Sequence, residues 1–227
     1  MTTLTTHPRT DSAPPAPARR SLAVRRACLV AAPALGGLLA VVGAVADPAA
    51  GVSGREMWQI YADNPEPLQF KSLGFKWSYA LWMAPAMLLA PLIRSRGAAL
   101  ATLAAVIGFL GMTTLPGLLF VDWYDSAVGQ HFGVDGTEAV NDTMGAMWGV
   151  PYFTLPGIIG LFLALPLAML AAWRAGLTRW WGLVAAVLAI AVFLGSGVTV
   201  WGAVGTAVCL AVVSVALAQG TRVHARD

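Results

Sequence analysis

The chain has 227 residues, of which 58% are hydrophobic and 11% are charged, and its formal net charge is +3. Soluble domains carry roughly 25% charged residues, so this composition excludes a water-soluble globular domain. Several apolar runs are long enough to cross the hydrocarbon core of a bilayer, which needs about 20 residues of helix. We therefore predict an all-α fold, a polytopic helical bundle in the cell membrane, and no binding of nucleic acid.

The N-terminal region, residues 1–26, is rich in Thr, Pro and Ala and ends in arginines. This composition predicts a disordered basic tail on the cytoplasmic side. The apolar run that follows, 28–46, has two interpretations: a cleaved secretory signal ending at Ala44-Val45-Ala46, or a retained first span. The run is longer than the usual signal core of about 7 to 15 residues, which favours a span. Pro33 lies near its start, where a missing backbone donor does least harm.

Residues 47–76 form a polar connection. Ser53 and Glu56 have the spacing of a capping box, which predicts a short helix that ends at Asn64-Pro65. Beyond it, residues 68–77 mix aromatic and aliphatic residues with two lysines, a pattern typical of an amphipathic segment in the headgroup region.

The last apolar stretch, 180–218, would be about 58 Å long as a single helix, nearly twice the thickness of the hydrocarbon core. Gly195-Ser196-Gly197 predicts a break into two spans.

Small residues recur every four positions in two other runs, Ala32 to Ala44 and Gly160 to Ala172, and predict close helix packing. The membrane domain, 27–218, then contains six transmembrane helices and is followed by a cytoplasmic tail, 219–227. The predicted spans are 28–46, 77–93, 98–121, 151–173, 180–195 and 198–218.

The distribution of charge predicts the orientation of these spans. With the N-terminus in the cytoplasm, 11 of the 14 Lys and Arg residues fall inside, and only Arg55, Lys71 and Lys76 fall outside. This asymmetry obeys the positive-inside rule. All acidic residues except Asp11 and Asp227 fall outside. The N-terminus and the C-terminus are both predicted to be cytoplasmic.

An outer loop, 122–150, lies between two copies of the sequence Thr-Leu-Pro-Gly, at 114–117 and 154–157. Pro116 and Pro156 are predicted to kink their helices and to free backbone carbonyls next to this loop. Such kinks would widen a vestibule on the outer side. The alternative is a chance match, because Pro and Gly are common in membrane helices.

The outer loop carries the candidate metal ligands. Carboxylates suit Ca²⁺, Mg²⁺ or Mn²⁺, and a histidine favours Mn²⁺ or Zn²⁺. Asp135 and Glu138 also have the spacing of a helix start. No recognised ligand spacing is present, so a solvated acidic loop without a cofactor is the competing interpretation. The candidate residues are Asp122, Asp125, His131, Asp135, Glu138 and Asp142.

Three functions are compatible with this pattern. We expect a non-enzymatic membrane component embedded in the lipid bilayer, whose outer loops, 47–76 and 122–150, contact a membrane protein partner, a lipid or a ligand. The first alternative is a small transporter subunit that acts as a homo-oligomer. The absence of ionisable residues inside the spans argues against proton coupling. The second alternative is a metal-dependent membrane enzyme that uses the acidic loop, and no catalytic residue is otherwise indicated.

Overall fold

The computed structural model describes residues 16–94 and 96–223, with side chains from 21 to 220. All regular structure in these ranges is helical. Four segments are long and apolar enough to cross a membrane: Ser21–Ala46, Ala98–Gly145, Val150–Arg174 and Val200–Gly220. Trp180–Ser196 is a shorter apolar helix. A multi-pass helical membrane protein is therefore confirmed as the class.

The helices are α1 (Ala16–Ala46), α2 (Arg55–Asp63), α3 (Pro65–Leu89), α4 (Ala98–Gly145), α5 (Val150–Arg174), α6 (Trp180–Ser196) and α7 (Val200–Val223).

The long helices alternate in direction. Gly36 of α1 packs against Ser78 and Trp82 of α3, and Gly43 packs against Phe75, so these two helices are antiparallel. The pairs α3–α4, α4–α5, α5–α6, α6–α7 and α1–α7 are antiparallel in the same way. The described arginines other than Arg55 consequently lie at one end of the bundle, the basic end. All described Asp and Glu residues lie at the other, the acidic end.

Helix α3 is the centre of the bundle and packs against α1, α4 and α5. Phe75, Trp82, Met83 and Leu89 on this helix are fully buried. The Trp82 ring meets Phe193 of α6 edge-on, with centroids 5.8 Å apart. Aromatic pairs of this geometry add about 0.5–1.5 kcal/mol beyond the area that they bury. Helix α3 thus contacts helices from both the N-terminal and the C-terminal half of the chain.

The predicted stripes of small residues are confirmed as packing surfaces. Ala164, Ala168 and Ala172 of α5 are completely buried. Where α4 and α5 cross, a Cβ added to Gly111 would lie 2.7 Å from the Cα of Gly160, so the two backbones touch. On α1, Ala32, Ala40 and Ala44 are also buried. Close backbone approach of this kind is the usual source of helix association in lipid.

Helix α1 differs from the prediction at its beginning. It starts at Ala16, so residues 16–26 are helical. The disordered tail predicted for 1–26 is therefore wrong for these residues. Residues 1–15 lie outside the described residues. Pro33 is therefore well inside the helix instead of near its start. The Ala34 N–H, next to this proline, donates to Ser214 Oγ of α7 at 3.0 Å. A serine on a neighbouring helix thus bonds the backbone at the residue that follows the proline.

The predicted break in the last apolar stretch is confirmed. Helix α6 ends at Ser196, and Gly197 has φ 62°, a conformation that favours glycine. Helix α7 then returns along α6, with Thr206 Oγ1 donating to the carbonyl of Ala189 at 3.5 Å. The two helices form the expected hairpin.

The connection 47–76 is more regular than its composition suggested. The short helix is confirmed as α2, and Asn64 ends it. The capping box is wrong, since Gly54 occupies the N-cap and no side chain caps the helix. The predicted amphipathic segment, 68–77, is continuous with the helix that follows it. These residues are the first half of α3, with Leu68 and Phe75 buried within the protein and Phe70 and Leu73 exposed. Its position in the headgroup region stays a prediction.

Candidate functional site

The acidic region 122–150 is a helical hairpin for most of its length, and the prediction of a loop there is wrong. Helix α4 continues past Asp122 until Gly133, where φ 74° and ψ 176° reverse the chain. Thr137 Oγ1 on the returning arm donates to the carbonyl of Asp125 on the outgoing arm at 3.3 Å. We call the assembly of α2, residues 65–76 of α3 and residues 122–145 of α4 the acidic head.

A buried ion pair fastens this head to the central helix. Lys71 Nζ of α3 donates to Asp122 Oδ2 of α4 at 2.7 Å, and their side chains are 9% and 22% exposed. The same ammonium donates to the Tyr61 hydroxyl of α2 at 2.7 Å. Ser72 Oγ adds a longer bond of 3.4 Å to Asp122. Three helices therefore converge on one charged pair.

The electrostatics of the cluster keep Lys71 protonated. Burial alone would lower the pKa of Lys71, but the charge of Asp122 and the hydrogen bonds to Asp122 and Tyr61 outweigh it and raise that pKa. Burial raises the pKa of Tyr61, and its bond to Lys71 opposes this change. Lys71 thus acts as a fixed positive charge at neutral pH and is unsuited to proton transfer there.

Asp125 is the most deeply buried carboxylate of the head. Asn141 Nδ2 donates to its Oδ1 at 2.9 Å, across the helical hairpin. Burial raises the pKa of Asp125, while hydrogen bonding to Asn141 lowers it and the charge of Asp122 raises it further. Next to it, Ser126 Oγ donates to the carbonyl of Tyr61 at 2.7 Å. Asp125 and Ser126 thus bind the hairpin and α2 together.

Arg55 neutralises the tip of the head. Its guanidinium forms ion pairs with Asp135 and Glu138 at the start of the returning arm. These carboxylates raise the pKa of Arg55, mainly through the hydrogen bond to Asp135. Both ion pairs are exposed to solvent, and exposed ion pairs contribute little to stability. Asp135 and Glu138 were predicted to form a capping box at a helix start. In the structure their carboxylates bind Arg55.

The six candidate metal ligands are distributed over separate contacts. Asp122 binds Lys71, Asp125 binds Asn141, and Asp135 and Glu138 bind Arg55, while Asp142 is exposed. His131 is exposed and lies beside the Phe132 ring. Within the described ranges no three His, Cys, Asp or Glu side chains form a group that could hold a metal ion. The structure therefore does not assemble the donor set that the metal-site prediction requires.

An apolar groove opens at the acidic end between α4 and α5. It has a volume of about 550 Å³ and lies where the two Thr-Leu-Pro-Gly repeats pack together, with Gly117 against the Phe153 ring and Gly157 against Leu115. Trp148 and Tyr152 beside it are 85% and 74% exposed, and their rings are 6.1 Å apart. The residues lining this α4–α5 groove are Gly117, Leu118, Val121, Asn141, Met144, Gly145, Met147, Gly149, Val150, Phe153 and Thr154.

Sequence reasoning did not identify Lys71, Tyr61, Ser126 or Asn141 as site residues. The signal for Lys71 was its position: it lies one turn from Leu68 and from Phe75, on the face of α3 that is buried. A lysine in such a stripe needs a carboxylate partner.

No family model matches the chain, and no match is found among curated proteins or among solved structures.

Proposed function

We propose that the protein is a non-enzymatic membrane component that crosses the bilayer six times, with both termini in the cytoplasm. Its acidic head faces the opposite side, and the α4–α5 groove beside the head binds an apolar segment of a second membrane protein. The exposed aromatic pair Trp148 and Tyr152 beside an apolar groove is the observation that carries this proposal. An apolar groove of this kind can hold an apolar helix of another protein, and aromatic residues dominate the binding energy of interfaces.

Six crossings are supported by the alternation of the long helices and by the separation of charge between the two ends. Arg94, Arg96, Arg174 and Arg179 lie in short connections at the basic end, which the positive-inside rule assigns to the cytoplasm. Helix α6 has 17 residues, about 25 Å of helix. Local thinning of the bilayer accommodates such a short span at modest cost.

The acidic head holds one wall of the groove in place. Its charges are bonded to neighbouring groups, Lys71 to Asp122 and Asp125 to Asn141, and Asn141 itself lines the groove. Preorganised surfaces lose little entropy on association. The transporter and metal-enzyme alternatives stay predictions.

Photo-crosslinking in cells tests this proposal. A photoreactive phenylalanine analogue at Met147, which lines the groove, is expected to trap a protein adduct of one defined mass. Replacing Trp148 and Tyr152 with alanine should lower the yield tenfold or more. Two aromatic anchors that each contribute about 2 kcal/mol change the affinity by about a thousandfold when both are lost.

The matched control is Trp201→Ala, which removes an equally exposed tryptophan (84%) at the same end of the bundle. This variant should keep the full yield. An adduct that contains only lipid, or a yield that is unchanged in the Trp148 and Tyr152 variant, would refute a protein partner in the groove.

A further inference from the structure

Large apolar side chains are exposed at the base of the acidic head, where α3 and α4 meet. Leu73 and Trp77 lie one turn apart on the same face of α3 and are 41% and 55% exposed. Phe120 of α4 is 59% exposed and lines the same small cavity between α3 and α4 as Leu73. We call these three residues the apolar base. None of them lines the α4–α5 groove.

Polar side chains of the same stretch of α3 lie on the opposite, buried side of the helix. Lys71, Ser72 and Ser78 are buried, and the first two donate to Asp122 of α4. A helix that faces water shows the reverse arrangement, with its charged residues outside and its apolar residues inside. In a membrane, ionisable residues face the bundle interior and pair with one another. The arrangement therefore indicates that the apolar base faces lipid.

The contact between α1 and α3 gives the depth of this surface. A Cβ added to Gly74 would lie 2.8 Å from the backbone N of Gly43, so these two glycines lie at the same level. Beyond Gly43, the apolar helix α1 continues to Ala46, and Val45 in this last part is 66% exposed. Because the two helices are antiparallel, Leu73 lies between the level of Gly43 and the end of α1. It is therefore level with lipid-facing residues of the first crossing.

The length of α3 agrees with this depth. The helix and the short 3-10 turn that follows it end at Leu92, and Arg94 is the first charged residue beyond them. Residues 77–92 give about 24 Å of helix, whereas 73–92 give about 30 Å, the thickness of the hydrocarbon core. Lys76 is the one charged residue in the longer range, and a lysine near a helix end extends its ammonium to the headgroups.

We infer that lipid acyl chains cover the apolar base, so that the hydrocarbon layer begins at Leu73 instead of Trp77. This surface continues the lipid-facing surface of the bundle, and it lies deeper than the headgroup position predicted for 68–77. The Lys71–Asp122 pair then lies at the edge of the hydrocarbon, on the side of α3 that faces away from lipid. The inference does not depend on partner binding in the α4–α5 groove or on the side of the membrane that the head faces.

Site-directed spin labelling of the full-length protein, without its native cysteines and in vesicles of dioleoyl phosphatidylcholine, tests the inference. A nitroxide is attached to Leu73→Cys or to Phe120→Cys, which are exposed positions that accommodate a label without repacking. Collisions with oxygen, which concentrates in hydrocarbon, are compared with collisions with a nickel chelate, which stays in water. Both reagents are present on both sides of the vesicles, so the orientation of the protein does not affect the result.

Two further labels calibrate the measurement: Val45→Cys in the first crossing for lipid, and Phe132→Cys at the exposed tip of the head for water. The labels at Leu73 and Phe120 should match the one at Val45. Their collision rates with nickel should be about tenfold below the rate at Phe132, because hydrocarbon excludes polar solutes. A nickel rate like that of Phe132 at either position overturns the inference. Low rates with both reagents also overturn it, because protein, such as a second copy of the chain, would then cover the base.

Discussion

Replacing Asp122 with alanine is expected to lower the free energy of unfolding by about 3 kcal/mol. The substitution leaves the ammonium of Lys71 buried, with only the Tyr61 hydroxyl as a partner. Removing one member of a buried ion pair is costly because the remaining charge has lost both water and its counterion. Unfolding of the full-length protein by sodium dodecyl sulfate in mixed micelles, followed by tryptophan fluorescence, measures this loss.

Two control variants isolate the cause. Replacing both members, Lys71→Met with Asp122→Leu, should recover most of the lost stability, since no unpaired charge remains. Arg55→Ala breaks an exposed ion pair of the same head and should change the unfolding midpoint little. Stability of the Asp122→Ala protein equal to that of wild type would show that the pair does not fasten the head to α3.

Gly160→Val is expected to destabilise the bundle by about 3 kcal/mol or more. A Cβ at this position would overlap the backbone of Gly111, and backbone cannot move aside as a flexible side chain can. The substitution forces α4 and α5 apart, and overpacking of this kind typically costs about 1–3 kcal/mol even where side chains can adjust. The same unfolding assay measures the effect.

The matched control is Gly195→Ala, near the end of α6, where an added Cβ meets nothing within 4 Å. It should leave the stability unchanged or raise it slightly, because alanine favours the helix. Comparable destabilisation by the two substitutions would mean that loss of glycine itself, and not the α4–α5 contact, is responsible.

The features that the sequence predicted well depend on local patterns. Ala164, Ala168 and Ala172 recur at helical spacing, and their small size leaves only one use in lipid, which is close packing. The break at Gly197 follows from length, since no single helix of the last apolar stretch fits the bilayer. Both features depend on a few consecutive turns of helix, so they can be predicted from the sequence alone.

The acidic head was mispredicted for a physical reason. Residues 122–145 contain enough Asp, Gly and Asn to suggest a loop, because isolated helices of such composition are unstable. Tertiary contacts override this preference: Asp122 binds Lys71, about fifty positions earlier, and Asp125 binds Asn141 across the hairpin. The partners of the candidate carboxylates depend on pairings between distant segments, which composition and spacing do not specify.

The orientation of the acidic head relative to the membrane is the claim on which the proposed function depends. Cysteine labelling in intact cells tests it, in a background where Cys28 and Cys209 are replaced by alanine. Thr143 on the returning arm and Gln219 near the end of α7 are both exposed, at opposite ends of the bundle. A cysteine at Thr143 should react with a membrane-impermeant maleimide before permeabilisation, and a cysteine at Gln219 only afterwards. The reverse pattern, or labelling of both from the same side, would contradict a head that faces away from the cytoplasm on a bundle with cytoplasmic termini.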